Sequence, residues 1–157
     1  MKKGMAAVSG ILGFVFGGIS AARLTSKSTD KWKTMSDKHL ALMLLFNQWM
    51  IVKQSGRDIK EYFCKNNYKK IVVYGMSYVG ERLLDDLTGA DIEVVAAIDK
   101  NAKGIFADVP VITPDENMPE CDCVVVTAIY FFDEIERLLA EKVSCPIVSL
   151  EDILYEV

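Results

Sequence analysis

The chain is poor in the side chains on which most metal sites and hydrolytic centres depend. Histidine occurs once, at His39, far upstream of the other reactive groups and in a place that suits a surface or packing role. Cysteine occurs four times, at Cys64, Cys121, Cys123 and Cys145, too few and too scattered for the disulfide framework of a small secreted domain. Cys121 and Cys123 lie two apart in an apolar run, so on a strand both are expected on one face. A zinc ion there would still need two more ligands, and Cys145 is the only nearby candidate, so no metal site is assigned. Proline is also scarce, at four residues, while 51% of the chain is hydrophobic and 25% charged. That balance excludes a disordered or collagen-like polymer and predicts one compact unit with appendages within 157 residues.

Charge is unevenly spread. Residues 1–69 hold twelve Lys/Arg against four Asp/Glu, a net of +8, and residues 70–157 hold six against eighteen, a net of −12. An acidic globular part argues against nucleic acid as a partner, because binding to its backbone needs clustered Lys/Arg.

Residues 5–22 carry no charge. As a helix rising about 1.5 Å per residue they span roughly 27 Å, close to the hydrocarbon thickness of a bilayer. Lys2 and Lys3 precede this stretch, and Arg23, Lys27, Lys31, Lys33 and Lys38 follow it. The positive-inside rule then places the C-terminal part in the cytoplasm, behind a single-pass anchor at 1–24. A cleaved signal peptide is the rival reading, since Lys2-Lys3, an apolar stretch and Ser20-Ala21-Ala22 imitate its three regions. Ser9, Gly13, Gly17 and Ala21 recur every fourth residue and predict a small-residue face on which two such helices could meet, making a homo-oligomer.

A basic linker and an apolar helical arm are expected over 25–66. Ser36 offers an N-cap and Asp37 a favourable first-turn charge for a helix over 37–54, and Gly56 ends it. Apolar residues run most of the way round this helix, from Leu40 to Phe46 and from Trp49 to Val52, so it should be covered by protein or membrane. A second helix over 58–65 puts Ile59, Tyr62 and Phe63 on one face.

From Ile71 the sequence reads IVVYGMSYVG, an apolar strand turning sharply into a helix with Val79, Leu83, Leu84 and Leu87 as its inner stripe. A second strand, VVAAID, ends at Asp99, twenty-four residues after Gly75. This is the Rossmann arrangement over 67–157: an α/β fold with a parallel sheet in strand order 3-2-1-4-5. Gly75 permits the tight turn, the amides of Met76, Ser77, Tyr78 and the following residues face a phosphate, Gly80 lets helix and sheet approach, and Asp99 holds ribose hydroxyls. Ser77 departs from the usual second glycine, limiting how near a pyrophosphate comes while offering a hydroxyl to it. The remaining strands are expected over 108–112, whose Pro110 requires an edge, 122–127 and 145–149. A helix over 131–142 should turn Ile135, Leu138 and Leu139 inward, and a short helix over 151–156 should close the chain. The strand order sets Thr127, with Ala128 and Tyr130, opposite the glycine turn.

The segments YGMSYVGERLL, VVAAIDKN, ADVPVITPDE and CDCVVVTAIYFFDEI resemble the small Rossmann-type domain at the front of bacterial sugar acetyltransferases and at the end of sugar C-methyltransferases. The likeness covers about 68–150 and is one of pattern. It implies a role in nucleotide-sugar metabolism, with Gly75, Ser77, Gly80 and Asp99 touching a nucleotide or nucleotide-sugar. Neither the left-handed β-helix of the first group nor a methyltransferase domain is found in these residues, and an apolar arm is not part of those families' usual layout.

No catalytic constellation accompanies the pattern. No tyrosine is followed four residues later by lysine, and Ser77 has neither the nucleophile-elbow spacing nor a histidine after it. Asp133, Glu134 and Glu136 at a helix start suit the dipole and read as a solvated face. The leading expectation is a membrane-anchored cytosolic module that binds a nucleotide or nucleotide-sugar, with NAD or a nucleotide-sugar as the candidate ligands, and serves a membrane enzyme of surface polysaccharide synthesis. The alternatives are an NAD-dependent oxidoreductase or epimerase subunit completed by a partner, and a scaffold that binds nothing. Anchoring is checked by fractionation: the full chain should pellet with membranes and be protease-accessible only in inverted vesicles. Recovery outside the cell of a chain processed near Ala22 would refute it.

Overall fold

The computed structural model describes residues 33–157. The expected span over 5–22 and its small-residue face lie outside the described residues, among which no helix is long and apolar enough to cross a membrane. By contact density the chain divides into Met1–Leu42 and Met43–Val157. In the first unit the described part is helical from residue 33 onward, so Ser36 lies inside a helix already under way and is not its N-cap.

The second unit is built on strands β1 (Lys70–Tyr74), β2 (Glu93–Ile98), β3 (Val111–Ile112), β4 (Cys123–Val126) and β5 (Ile147–Ser149). They form one sheet in the order β3-β2-β1-β4-β5, and every pairing is parallel, as expected from the sequence. Continuous apolar strands fit a parallel sheet because helices cover both of its faces. The register of β1 on β2 slips once, Ile71 pairing with Val94 and Val72 with Ala96, which leaves Val95 as the extra residue of a bulge.

Both edge strands are shorter than expected, and a proline stands at the entrance of each. The carbonyl of Pro110 accepts from Ala97 N–H at 2.8 Å, and that of Pro146 from Val124 N–H at 2.9 Å. Each proline thus gives its acceptor inward and has no N–H to leave unpaired at the edge.

Among the described residues there are five α-helices: α1 (33–54), α2 (Lys60–Lys65), α3 (Tyr78–Leu87), α4 (Phe132–Ala140) and α5 (Leu150–Glu156). Right-handed crossovers run from β1 to β2 in one direction and from β4 to β5 in the other, so α3 and α4 fall on opposite faces. On the α4 face Val72, Tyr74, Ala96, Ile98, Val124 and Val126 pack with Ile135 and Leu139. The intervening Ile71, Val73, Ala97, Cys123 and Val125 are fully buried on the other face.

Helix α4 is shorter than the expected 131–142: a 3₁₀ turn, Ile129–Phe131, replaces its start, and it ends at Ala140. Ile135 and Leu139, one turn apart, form its inner row, whereas Leu138 falls to the side and is 46% exposed, contrary to expectation. Within the second unit α1 buries Leu45, Trp49 and Val52. Its polar contacts reach two other helices: Trp49 Nε1 donates to Asp86 Oδ2 of α3 at 2.9 Å, and Gln48 Nε2 to the Leu154 carbonyl of α5 at 3.0 Å. Lys53 pairs with Asp86 as well. The expected covering is therefore met on one face only, and Met43, Leu44, Met50 and Ile51 stay exposed. Gly56, at φ +76°, turns the chain out of α1. Asp58 Oδ1 then accepts from Lys60 N–H at 3.0 Å to start α2, whose Phe63 is buried beside Ile59.

Asp122 fastens the start of β4 to that of β1. Its Oδ2 accepts from Lys70 N–H at 2.8 Å and Lys69 N–H at 2.7 Å, and these two bonds, in that order, hold its carboxyl below the ordinary range. A depressed folded pKa gives stability that is present above the unfolded carboxylate range and is lost as pH falls through the folded value. Asp122→Asn, which keeps an acceptor and loses the titration, should therefore flatten the fall of the melting temperature below about pH 4. Melts followed by circular dichroism from pH 7 to pH 3 check this, and an unchanged acid limb would remove Asp122 from the account.

Candidate functional site

The crevice at the carboxyl ends of β1, β2 and β4 is organised by one turn. Gly75 leaves β1 at φ +101°, a left-handed conformation that favours glycine, and its N–H donates to the Ile98 carbonyl at 2.8 Å. A Cβ at Gly75 would also lie 2.7 Å from Thr127 Oγ1, so conformation and space both require glycine. A Cβ at Gly80 would come 2.2 Å from the Gly75 carbonyl oxygen, so the first turn of α3 rests directly on the end of β1.

Asp99 holds the two sides of the turn together. Its Oδ2 accepts from Met76 N–H at 2.9 Å and its Oδ1 from Asn101 N–H at 2.8 Å. A carboxylate offers about four lone-pair positions, so one on each oxygen is left for a ligand hydroxyl. Thr127 sits on the β4 side. Its N–H donates to the Tyr74 carbonyl at 2.9 Å, and its hydroxyl lies 2.6 Å from the Gly75 carbonyl and 3.1 Å from that of Tyr74. With 1% exposure, Thr127 braces the turn from within.

The other expected site residues divide by exposure. Met76 is buried and contributes its amide to Asp99, whereas Ser77 is exposed and Tyr78 is 80% exposed. The first bond of the α3 ladder runs from Glu81 N–H to the Ser77 carbonyl, and the Ser77 side chain makes no capping bond. The amides of residues 77–80 consequently stay outside the ladder, at the positive end of the helix dipole. Gly75, Met76, Ser77, Gly80, Asp99 and Thr127 are thus brought to one junction, with Tyr78 on its rim.

A cavity of about 300 Å³ opens beside this junction, between the loop after β2 and the start of α4. Tyr74, Gly75 and Asp99 line it, together with Phe131 and Glu134. Ala128 lines it too, opposite the glycine turn as expected, and Phe131 takes the place expected for Tyr130. Glu134, expected on a solvated face, is exposed yet turned to this crevice. Sequence reasoning missed Tyr74, Phe131 and Glu134 as lining residues, and the one signal for Glu134 was its position in the first turn after β4. A larger groove of about 430 Å³ runs between α3 and the loop before β3, past Arg82, Asp85 and Phe106, and shares only Met76 with the turn.

The cysteines are dispersed over the end of the sheet. Among the described residues no three metal-ligating side chains converge. Strand β4 begins at Cys123, so strand alternation does not extend back to Cys121, and the two do not share a face as expected. Cys121 packs against the α4-side core with its Sγ 3.6 Å from that of Cys145, and Cys123 is fully buried elsewhere. Burial, followed by the Cys145 contact, pushes the Cys121 thiol up to about 12.

Fold and crevice together define a Rossmann-type parallel α/β domain with a single glycine turn at the switch point. More narrowly, the chain belongs to the family described as C2185-like, N-terminal, whose model matches residues 67–146, just over half of its length. No curated protein and no solved structure matches it.

The junction makes a specific prediction about stability. Gly80→Ala should cost about 1–3 kcal/mol, the usual range for overpacking a tight contact, whereas Ser77→Ala should leave stability unchanged because its hydroxyl makes no capping bond. Denaturant titration of both variants checks the pair, and equal stabilities would contradict the close approach.

Proposed function

We propose that this domain binds a nucleotide or nucleotide-sugar in the crevice at Gly75 and Asp99. The observation that carries the reading is the meeting of three features at one point. They are a left-handed glycine after β1, four helix-start amides outside the α3 ladder, and an acid at the end of β2 with acceptor capacity to spare. A diphosphate lies across the start of α3, where Ser77 sets the distance of approach, and a ribose faces Asp99. The N-terminal segment anchors the module to the cytoplasmic side of a membrane as a homo-oligomer. Its likeness to the small domains of sugar-modifying enzymes supports service to a membrane enzyme of surface polysaccharide synthesis.

The role is binding and presentation of the ligand. The polar side chains that line the crevice are the carboxylates of Asp99 and Glu134, the Tyr74 phenol, Asn101 and Lys100, a set suited to holding hydroxyls. Calorimetric titration of the full chain in detergent micelles with NAD, NADP, and uridine and cytidine diphosphate sugars tests the reading. Asp99→Ala should weaken the bound nucleotide by roughly 1–3 kcal/mol, the cost of leaving hydrogen-bonding partners unpaired. NADP should bind worse than NAD, because the acid repels a 2′-phosphate. Absence of binding by every nucleotide at millimolar concentration would overturn the proposal.

A further inference from the structure

Tyr74 ends β1 at the floor of the crevice and is 5% exposed. Among the described residues its hydroxyl has no hydrogen-bond partner, yet no side-chain oxygen or nitrogen is both unpaired and sealed from solvent. The hydroxyl is therefore not sealed from solvent, and the cavity is the space that Tyr74 lines. A phenol more than nine-tenths buried thus keeps its one polar atom accessible beside this cavity.

Two carboxylates from different elements stand near it. Asp99 comes from the end of β2 and Glu134 from the first turn of α4, and both line the same cavity. Burial first, and then the charges of Asp99, Glu134 and Asp115, hold the Tyr74 phenol above its ordinary pKa, so it stays protonated and able to donate. Phe131 adds an apolar wall and is itself held edge-on to Tyr130 at 5.3 Å between ring centres. One donor, two acceptors and an aromatic face match a ring that carries adjacent hydroxyls on one side and C–H bonds on the other. Two carboxylates against the single Lys100 leave the cavity net negative, which disfavours phosphate there and sorts the charged part of a ligand to the amides of residues 77–80 instead.

We propose that Tyr74, Asp99 and Glu134 form a subsite for a hydroxylated sugar ring, with Phe131 against its carbon face. The subsite rests on the nucleotide reading of the crevice and adds residues and a ligand part to it. Ribose of the nucleoside and hexose of a nucleotide-sugar share this chemistry, and the choice of probes separates them.

The test is calorimetric titration of the full chain in detergent micelles with NAD, uridine diphosphate, its 2′-deoxy analogue and uridine diphosphate glucose. Tyr74→Phe and Glu134→Gln should each weaken the ring-bearing ligand about three- to tenfold, as expected for one lost hydrogen bond. Thermal unfolding midpoints should not move for Tyr74→Phe, whose hydroxyl has no partner among the described residues, nor for Glu134→Gln on its exposed helix turn. A loss for NAD, uridine diphosphate and its glucose conjugate, but not for the 2′-deoxy analogue, puts the ribose in the subsite. A loss confined to the glucose conjugate puts the hexose there. If both variants bind all four ligands as the wild type does, the subsite is refuted while nucleotide binding stands. If the wild-type chain binds none of them, both proposals fall.

Discussion

The contact between the Gly75 carbonyl and the backbone of Gly80 governs the geometry of the whole crevice. Because neither residue has a Cβ, the first turn of α3 sits on the end of β1 at a distance that no other side chain would permit. That proximity fixes where the helix-start amides point. It also brings Met76 N–H within reach of Asp99 and places the Gly75 carbonyl where Thr127 can donate to it. Three strands are thereby tied at one point by short polar bonds, in a region where the sheet's own ladder has ended. A side chain at either glycine would separate these groups by more than a hydrogen bond tolerates.

Polar side chains near the sheet ends divide into those that brace and those that face outward. Thr127 and Asp122 serve opposite ends of the β1–β4 pair, the first by its hydroxyl at the crevice and the second by its carboxylate at the far end. Asp99 does both, spending one lone pair of each oxygen on the backbone and keeping the others. Tyr74 and Glu134 line the crevice, and among the described residues neither is held by a side-chain bond.

Much of this was legible in the sequence because glycine and acid spacing is set by the turn itself. Gly75, Gly80 and Asp99 had to stand where they do for a strand, a turn and a helix to fit in so few residues, and the strand order followed from the same motif. The errors lie where short elements compete with irregular backbone. The inner row of α4 runs through Ile135 and Leu139 and leaves Leu138 to the side, and the late start of β4 broke the alternation that would have aligned Cys121 with Cys123. Glu134 and Tyr74 were missed for different reasons. An acid in a first helix turn looks the same whether it faces bulk water or a cleft, and an aromatic on a strand looks like core unless its hydroxyl is traced.

The topology has a kinetic corollary. The glycine turn, α3 and β2 are assembled from neighbouring segments, whereas Thr127 comes to Gly75 across a separation of 52 residues. Contacts of long sequence separation form only after loop-closure entropy has been overcome, and parallel pairing is slow for that reason. The half of the crevice built on the helix-start amides therefore arises locally, while its other wall waits for β4 to dock beside β1. Chains in which that docking is delayed would hold a formed glycine turn with no wall opposite it, and a closed crevice would be the last feature acquired during folding.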